Sequence, residues 1–598
     1  MKTFKVISIL LLSSGMLLFT NCGLKKMVKK QTSVSYSVTP NPLETHGGKM
    51  TMEIQGNFPK KYFNKKATLS LVPVIKTSTG ETTTLQTINL EGEKVNGNNT
   101  VIGYKSGGKF TITQTIDYKP AYQTCELMLT SSAKLKTKEA SLNEIKLAEG
   151  TIATSERVSV QPNLAYKGQS ANGSFFVFAD HNYTGPKIIE KTAVIFFEVN
   201  RDVLNWNLPF NKKEENKQAL KDLMSFVSQY KNVESVDIVG WASPEGELKR
   251  NQELSSKRSE TGKKWFESEY NKTIKAMAKK EKKDEKELKK EITYNLKDNG
   301  EDWDGFIEAV NNSSIQDKSQ IVNVIKSQSD LDQREQQIRN MIAIYNEIDN
   351  EILPSLRRAI VKANCLENKK TDEQIAQMAA NQPDSLNNDE LLYAASLTTN
   401  LKTKADIFKK ATEIYPNDYR AYNDLACIKA SEGNFDEAKK LLDKANSLSP
   451  NKGEVLNNQG IIALLSGDYE NAKKYFEASQ KAGFNQDYNI GIVSMKTGDY
   501  TSATNAFSAT KCNYNVALNQ ILTKDYTAAK STIDCIQQKS AKDYYLLAII
   551  GARTNDTNIL FKNLSKACEL DSDYKTQALK DMEFKNFKDN AAFKDAVK

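Results

Sequence analysis

Histidine is nearly missing from this chain: two in 598 residues, His46 and His181. Histidine is the most used general base and zinc ligand near neutral pH, so its scarcity excludes most triad and metal-hydrolase chemistry. The nucleophile elbow G-x-S-x-G is absent, and none of the seven cysteines stands in a C-x-x-C or zinc-like spacing. No apolar run is long enough to cross a bilayer; the best, Val6 to Phe19, has fourteen mostly apolar residues. A surplus of one charge is missing too. The 83 basic and 74 acidic residues are mixed along the chain, net +9, and no helical pattern interleaves basic residues with aromatics. That excludes a nucleic-acid footprint and reads as solvated surface. What remains is a chain of several domains, 39% apolar and 26% charged, with no expected enzyme activity, cofactor, metal site or nucleic-acid partner.

Residues 1–22 read as an export signal. Lys2 and Lys5 form a charged head, and the short apolar run suits a signal-peptide core. It ends in Phe19-Thr20-Asn21-Cys22, which resembles a bacterial lipobox except that Asn21 stands where a small residue is usual. The resemblance implies lipidation of Cys22 and anchoring in the outer membrane. Lys25, Lys26, Lys29 and Lys30 follow. An acidic run there would resemble the surface-export tag of Bacteroidetes lipoproteins, so the expected location is the periplasmic face. Among the other cysteines Cys512 and Cys535 are the nearest pair, with connectivity left open; Cys427, Cys535 and Cys568 lie in helical patterns and are expected to be buried thiols.

Residues 31–186 read as a β-sandwich. Thr68–Val72, Phe110–Thr113 and Cys125–Leu129 alternate apolar and polar residues between turns such as Gly47-Gly48, Asn96-Gly97 and Gly107-Gly108. Ser174–Phe178 is expected to be its last, more apolar strand. A spacer or protein-contact role fits this region.

In residues 187–366 a buried strand from Thr192 and an amphipathic helix with Leu220, Leu223, Met224 and Val227 lead to the strand Val236–Val239. Then comes Gly240 to Arg258, GWASPEGELKRNQELSSKR. A strand that ends in a glycine-bounded turn and opens a helix gathers free backbone N–H groups at one pocket, a natural place for a carboxylate. The wording resembles the OmpA-like peptidoglycan-binding domain, roughly G-H-T-D-x-x-G, four residues, N-x-x-L-S-x-x-R, with Gly240, Gly246, Asn251, Leu254, Ser255 and Arg258 on the pattern. The resemblance implies that Arg258 and Asn251 hold the diaminopimelate of the peptidoglycan stem peptide. The family's Asp falls on Ser243, and Glu245 is the candidate substitute carboxylate. Arg357–Val361 resembles the family's closing strand. A helical insertion is expected over 271–354, with Gly300–Phe306, including Glu301, Asp302 and Asp304, as a helix start anchored by Trp303 rather than a calcium loop.

Residues 389–598 are periodic. Pro416 and Pro450, Gly433 and Gly467, and Ala438 and Ala472 each stand 34 apart, and Gly498-Asp499-Tyr500 and Lys524-Asp525-Tyr526 repeat the turn at shorter spacing. This resembles tetratricopeptide repeats, with Phe435, Tyr469, Tyr500 and Tyr526 expected in the core and a concave face open to an extended peptide or helix. The expected fold class is therefore multidomain α+β: a β-sandwich, an OmpA-like βαβα(β) domain with a long helical insertion, and an α-helical tetratricopeptide-like solenoid. The whole resembles OmpA-like lipoproteins of Bacteroidetes that carry such repeats. It implies a non-enzymatic outer-membrane lipoprotein that binds peptidoglycan and recruits an unknown protein partner through its repeats. The alternative is a periplasmic assembly or secretion adaptor whose OmpA-like fold has lost strong peptidoglycan binding.

Overall fold

The structure is a computed structural model, and it describes residues 22–166, 173–342 and 346–598. Of the expected signal segment 1–22, residues 1–21 and the Cys22 side chain lie outside the described residues. Two compact units result: residues 1–181 with 395–598, and residues 182–394. Among the described residues no helix is long and apolar enough to cross a membrane.

In the first unit two antiparallel-rich sheets face each other. One is built on Lys49–Phe58 paired with Gly108–Asp117 along ten residues; the other centres on Ala67–Thr77 against Cys125–Leu135. All four strands alternate more and less buried side chains. The buried set, including Met52, Ile54, Leu69, Leu71, Leu127 and Leu129, forms one core between the sheets. Period two places every second side chain on the same face, so these strands can only bury one face each. The helix Cys22–Lys29 closes this core with Leu24 and Met27 while Lys25, Lys26 and Lys29 point out.

Most of the remainder of this unit is helical pairs. Tyr419–Ser431 packs on Phe435–Leu448, Gly453–Leu465 on Tyr469–Lys481, Asp487–Lys496 on Tyr500–Ala506, Tyr514–Leu522 on Tyr526–Asp534, and Ala541–Thr554 on Thr557–Leu570. The turn inside each pair needs one left-handed residue. Gly433, Gly467 and Gly498 supply it at φ +82°, +79° and +83°; Lys524 and Asn555 take the same place at +66° and +56°. Phe435, Tyr469, Tyr500 and Tyr526, expected in the core, are half-buried just after these turns. The close helix crossing is made three residues later, by fully buried Ala438, Ala472, Ala503 and Ala529. A large ring at the crossing would hold the helices apart, so alanine takes that place. Cys535 is not a buried thiol but is bonded to Cys512, whereas Cys125, Cys365, Cys427 and Cys568 are buried and free.

The second unit is a four-stranded sheet in the order Ile188–Phe196, Arg358–Leu366, Asn232–Ala242, Thr293–Glu301. Helices Glu214–Gln229 and Leu248–Glu281 cover one face, with Leu223, Val227 and Phe266 against Ile195, Ile238 and Val361. Burying a side chain of this size contributes about 1.5–3 kcal/mol. The expected helical insertion over 271–354 is corrected in its first half. Thr293–Glu301 is a strand, parallel to Asn232–Ala242 from Ser235↔Thr293 onward. It lies at the sheet edge and is exposed along most of its length, so it has no apolar alternation to betray it. From Trp303 the insertion is helical, with its own core around Phe306, Val310, Ile325 and Ile338.

Candidate functional site

The Gly240–Arg258 signature sits where the strand Asn232–Ala242 hands over to the helix Leu248–Glu281. Gly240 is required by contact: a Cβ there would lie 1.8 Å from the Ser255 carbonyl oxygen. The helix can cross the strand this closely only over a bare Cα.

The four sequence-derived site residues do converge under this turn. Asn251 is 3% exposed and its Nδ2 donates to the carbonyls of Ser243 (3.1 Å) and Gly246 (3.0 Å) and to Glu301 Oε1 (2.8 Å), which locks the turn. Ser243 Oγ donates to Glu245 Oε1 at 2.7 Å and accepts from Arg357 Nε at 3.0 Å. Arg357 Nη2 in turn bonds Glu245 Oε1 at 2.9 Å. Arg258 is 1% exposed. Its Nε donates to the Arg201 carbonyl (3.1 Å), Nη1 to that of Trp241 (2.8 Å) and Nη2 to that of Glu198 (3.0 Å). Burial first, and then the adjacent Arg357 charge, pulls its pKa down to about 10. Arg258 thus ties the loop after Phe196 to the end of the signature strand.

Arg357, just before the last strand, was missed as a site residue. It is the buried cation that faces Glu245, and its only sequence signal is its place in the closing Arg357-Arg358 pair. Two of the three acidic residues at the helix start are spent locally. Glu301 accepts from Asn251 and from Trp303 Nε1, and Asp302 accepts from the Gly305 N–H and pairs with Arg358. Among the described residues no group of three or more His, Cys, Asp or Glu is placed to hold a metal ion.

The repeat face expected to lie open to an extended peptide or helix is filled by the chain itself. It is lined by amides one repeat apart, and residues 159–166 and 173–181 of the chain lie along it. Asn515 brackets Ser159, accepting from its N–H (2.9 Å) and donating to its carbonyl (2.7 Å). Ser174 Oγ donates to Asn489 Oδ1 at 2.6 Å, and Asn457 Nδ2 donates to the Phe175 carbonyl at 2.8 Å. Asn458 brackets Val177 as Asn515 brackets Ser159, at 2.8 and 2.9 Å, and Asn423 Nδ2 adds a bond to the Val177 carbonyl at 3.0 Å. The Ala179 N–H donates to Asp424 Oδ1 at 2.7 Å, and Arg420 Nη1 reaches the His181 carbonyl at 3.0 Å. Burial raises the Asp424 carboxyl to about 8.

Ser174–Phe178, expected as the last sandwich strand, is corrected accordingly. Phe175–Phe178 pairs in parallel with Asn163–Tyr166 and lies against the repeat helices. Its lack of apolar alternation has a physical cause, since consecutive Phe176, Val177 and Phe178 are all buried in the groove. The missed signal was periodic: Asn423-Asp424 and Asn457-Asn458 recur 34 residues apart, in step with the prolines and glycines of the repeat.

The helical region is thereby a set of helix pairs whose inner helices present hydrogen-bonding side chains to an extended chain. Tetratricopeptide-repeat family models match residues 407–440 and 453–482, and these repeats are tetratricopeptide repeats. Neither match is to a catalytic family. No curated protein matches the sequence. Among solved structures the chain is similar to the Cut9–Hcn1 hetero-tetramer of the APC/C, with 17% identity over 35% of this chain and a TM-score of 0.31; it spans 46% of that chain. It is also similar to pilF of Pseudomonas aeruginosa, at 19% identity over 37% of this chain and 97% of that one, TM-score 0.27. A tetratricopeptide repeat protein of Parabacteroides merdae gives 14% identity over 41% and 99%, TM-score 0.29.

Proposed function

We propose that this protein is a non-enzymatic envelope adaptor, anchored by a lipidated Cys22 at the periplasmic face of the outer membrane, which engages a protein partner through its tetratricopeptide repeats. The repeat matches and the amide-lined groove support the partner-binding half. The anchoring half rests on the lipobox-like start, and Leu24 and Met27 buried in the sandwich core agree with it: they leave little slack between Cys22 and the sandwich. Cys22→Ser should release the chain into the soluble periplasmic fraction, and its retention in membranes would remove the anchor from this reading.

The observation that carries the adaptor over the wall-binding reading is the state of the signature pocket. Arg258 directs its donors to three backbone carbonyls, and Glu245 and Ser243 are held by Arg357. A stem peptide would have to win these groups from the protein itself. The second reading, that the unit grips the diaminopimelate of peptidoglycan through Arg258, Asn251, Ser243 and Glu245, is favoured by one fact: Glu245 Oε2 is buried with no hydrogen-bond partner. Such an acceptor suits an ammonium. Co-sedimentation of the full chain with purified sacculi separates the two. The adaptor should stay in the supernatant; pelleting that free diaminopimelate competes away would replace it with the wall-binding reading.

A further inference from the structure

The repeat groove and the segment inside it use each other almost entirely through backbone. Between Ser174 and Ala179 the groove's amides and Asp424 take the carbonyl of Phe175, both polar groups of Val177 and the N–H of Ala179. These groups are common to every extended chain, so this part of the recognition does not depend on sequence. The side chains add apolar selectivity. Phe176, Val177 and Phe178 are at most 2% exposed, and the Phe178 ring stands 5.7 Å from Phe408 and 5.0 Å from Tyr166. No charged side chain occurs from Ser174 to Ala179.

We propose that residues 174–181 are a tethered stand-in for a partner, and that the groove receives in their place an extended, phenylalanine-rich segment of another protein, uncharged where it replaces Ser174–Ala179. This rests on the reading of the repeats as a partner-binding element and names the chemistry of that partner. The occupant is identified by what the groove already holds. A segment with phenylalanines two residues apart fills the places of Phe176 and Phe178, and a small residue follows where Ala179 lies. Its backbone carries the donor and acceptor that Asn458 brackets. A tethered segment competes at an effective concentration of roughly millimolar, so it keeps out weak extended chains and yields only to a better fit or to a pull on its tether. If the segment's own intrinsic affinity is about micromolar, a free peptide is weakened by about a thousandfold.

The test uses the full chain and a synthetic peptide of residues 174–181. Val177→Pro removes the N–H that Asn458 accepts, and it should expel the segment from the groove. The peptide should then bind the Val177→Pro chain up to about a thousandfold more tightly than the wild type, and adding Asn458→Ala should abolish that gain. Equal binding to wild type and variant would overturn the proposal, as would no binding to a Val177→Pro chain that keeps its helicity. Should Val177→Pro unfold the repeats, hydrogen exchange in the wild type decides. Release of the Val177 and Ala179 amides well before the repeat helices supports a displaceable segment, and exchange only with global unfolding overturns it. A concentration-dependent dimer of the wild type in light scattering would assign the groove to a second copy of this chain and also overturn the proposal. None of these outcomes bears on sacculus binding, so the inference and the adaptor reading fail separately.

Discussion

Replacing Arg258 by alanine removes three charge-assisted donors from a site that is 1% exposed. The carbonyls of Glu198, Arg201 and Trp241 lose their partner, and the Phe197 ring loses the guanidinium 5.5 Å from its centre. A hydrogen bond to a charged group contributes about 1.5–3 kcal/mol, and an unsatisfied buried carbonyl costs about 1–3 kcal/mol. These losses overlap, because the freed loop can turn carbonyls toward water. The guanidinium is also costly to bury, as its lowered pKa indicates. A net destabilisation of about 3–5 kcal/mol of the second unit follows, the range for breaking a buried charged network. Arg258→Lys keeps one charge but loses the planar fork and should cost roughly half as much. Hydrogen exchange of the full chain reads this locally: amides of Ile188–Phe196 and Asn232–Ala242 should lose protection in the alanine variant, while those of the sandwich do not. If Arg258→Ala leaves exchange in these strands unchanged, the structural role is refuted. If it also abolishes binding to sacculi, Arg258 is a ligand for the stem peptide.

Gly467 stands at φ +79° with nothing within 4 Å of a Cβ built on it, so the cost of Gly467→Val is backbone strain and not crowding. A loss of about 1–3 kcal/mol is expected, with Gly467→Asn milder because asparagine tolerates the left-handed region; thermal melts followed by circular dichroism rank the two. The Asp424 carboxyl keeps its proton to about pH 8 in the folded protein, mainly through burial, with Glu454 raising it further and Arg420, Asn423 and the Ala179 N–H opposing. Unfolded, it would lose that proton near pH 4, so between these values the native state holds more protons and stability falls as pH rises, by at most about 1.4 kcal/mol per unit. Urea midpoints from pH 5 to 8 should therefore decline, and Asp424→Asn should flatten the slope; an unchanged slope would remove Asp424 as its source.

Much of this architecture was legible locally. Period-two alternation around Leu69, Ile112 and Leu127 marks strands because a pleated strand has no other way to bury one face. The 34-residue spacing of Gly433 and Gly467 marks repeats because each helix pair must turn through one left-handed residue. The glycines of the signature were legible as a strand–helix handover, and the close approach at Gly240 explains the first of them. The resemblance to the OmpA-like pattern put Ser243, Glu245, Asn251 and Arg258 in one neighbourhood, on the turn and the opening turns of the helix Leu248–Glu281.

What those residues do there was decided only in three dimensions. Arg357 reaches Glu245 from 112 residues away, and Arg258 meets the Glu198 carbonyl from 60 away. No local pattern records which polar group satisfies which across such distances. The same holds for the groove. Asn458 and Val177 are 281 residues apart, and an asparagine facing a backbone looks in sequence like any polar helix residue. The edge strand Thr293–Glu301 escaped for a related reason: its hydrogen bonds are to Asn232–Ala242, and its exposed side chains carry no burial signal. Local periodicity is set by which face a segment buries, and it could be read one segment at a time. Occupancy of a pocket or groove depends on which distant group arrives first to satisfy its donors and acceptors, and that is a property of the folded chain.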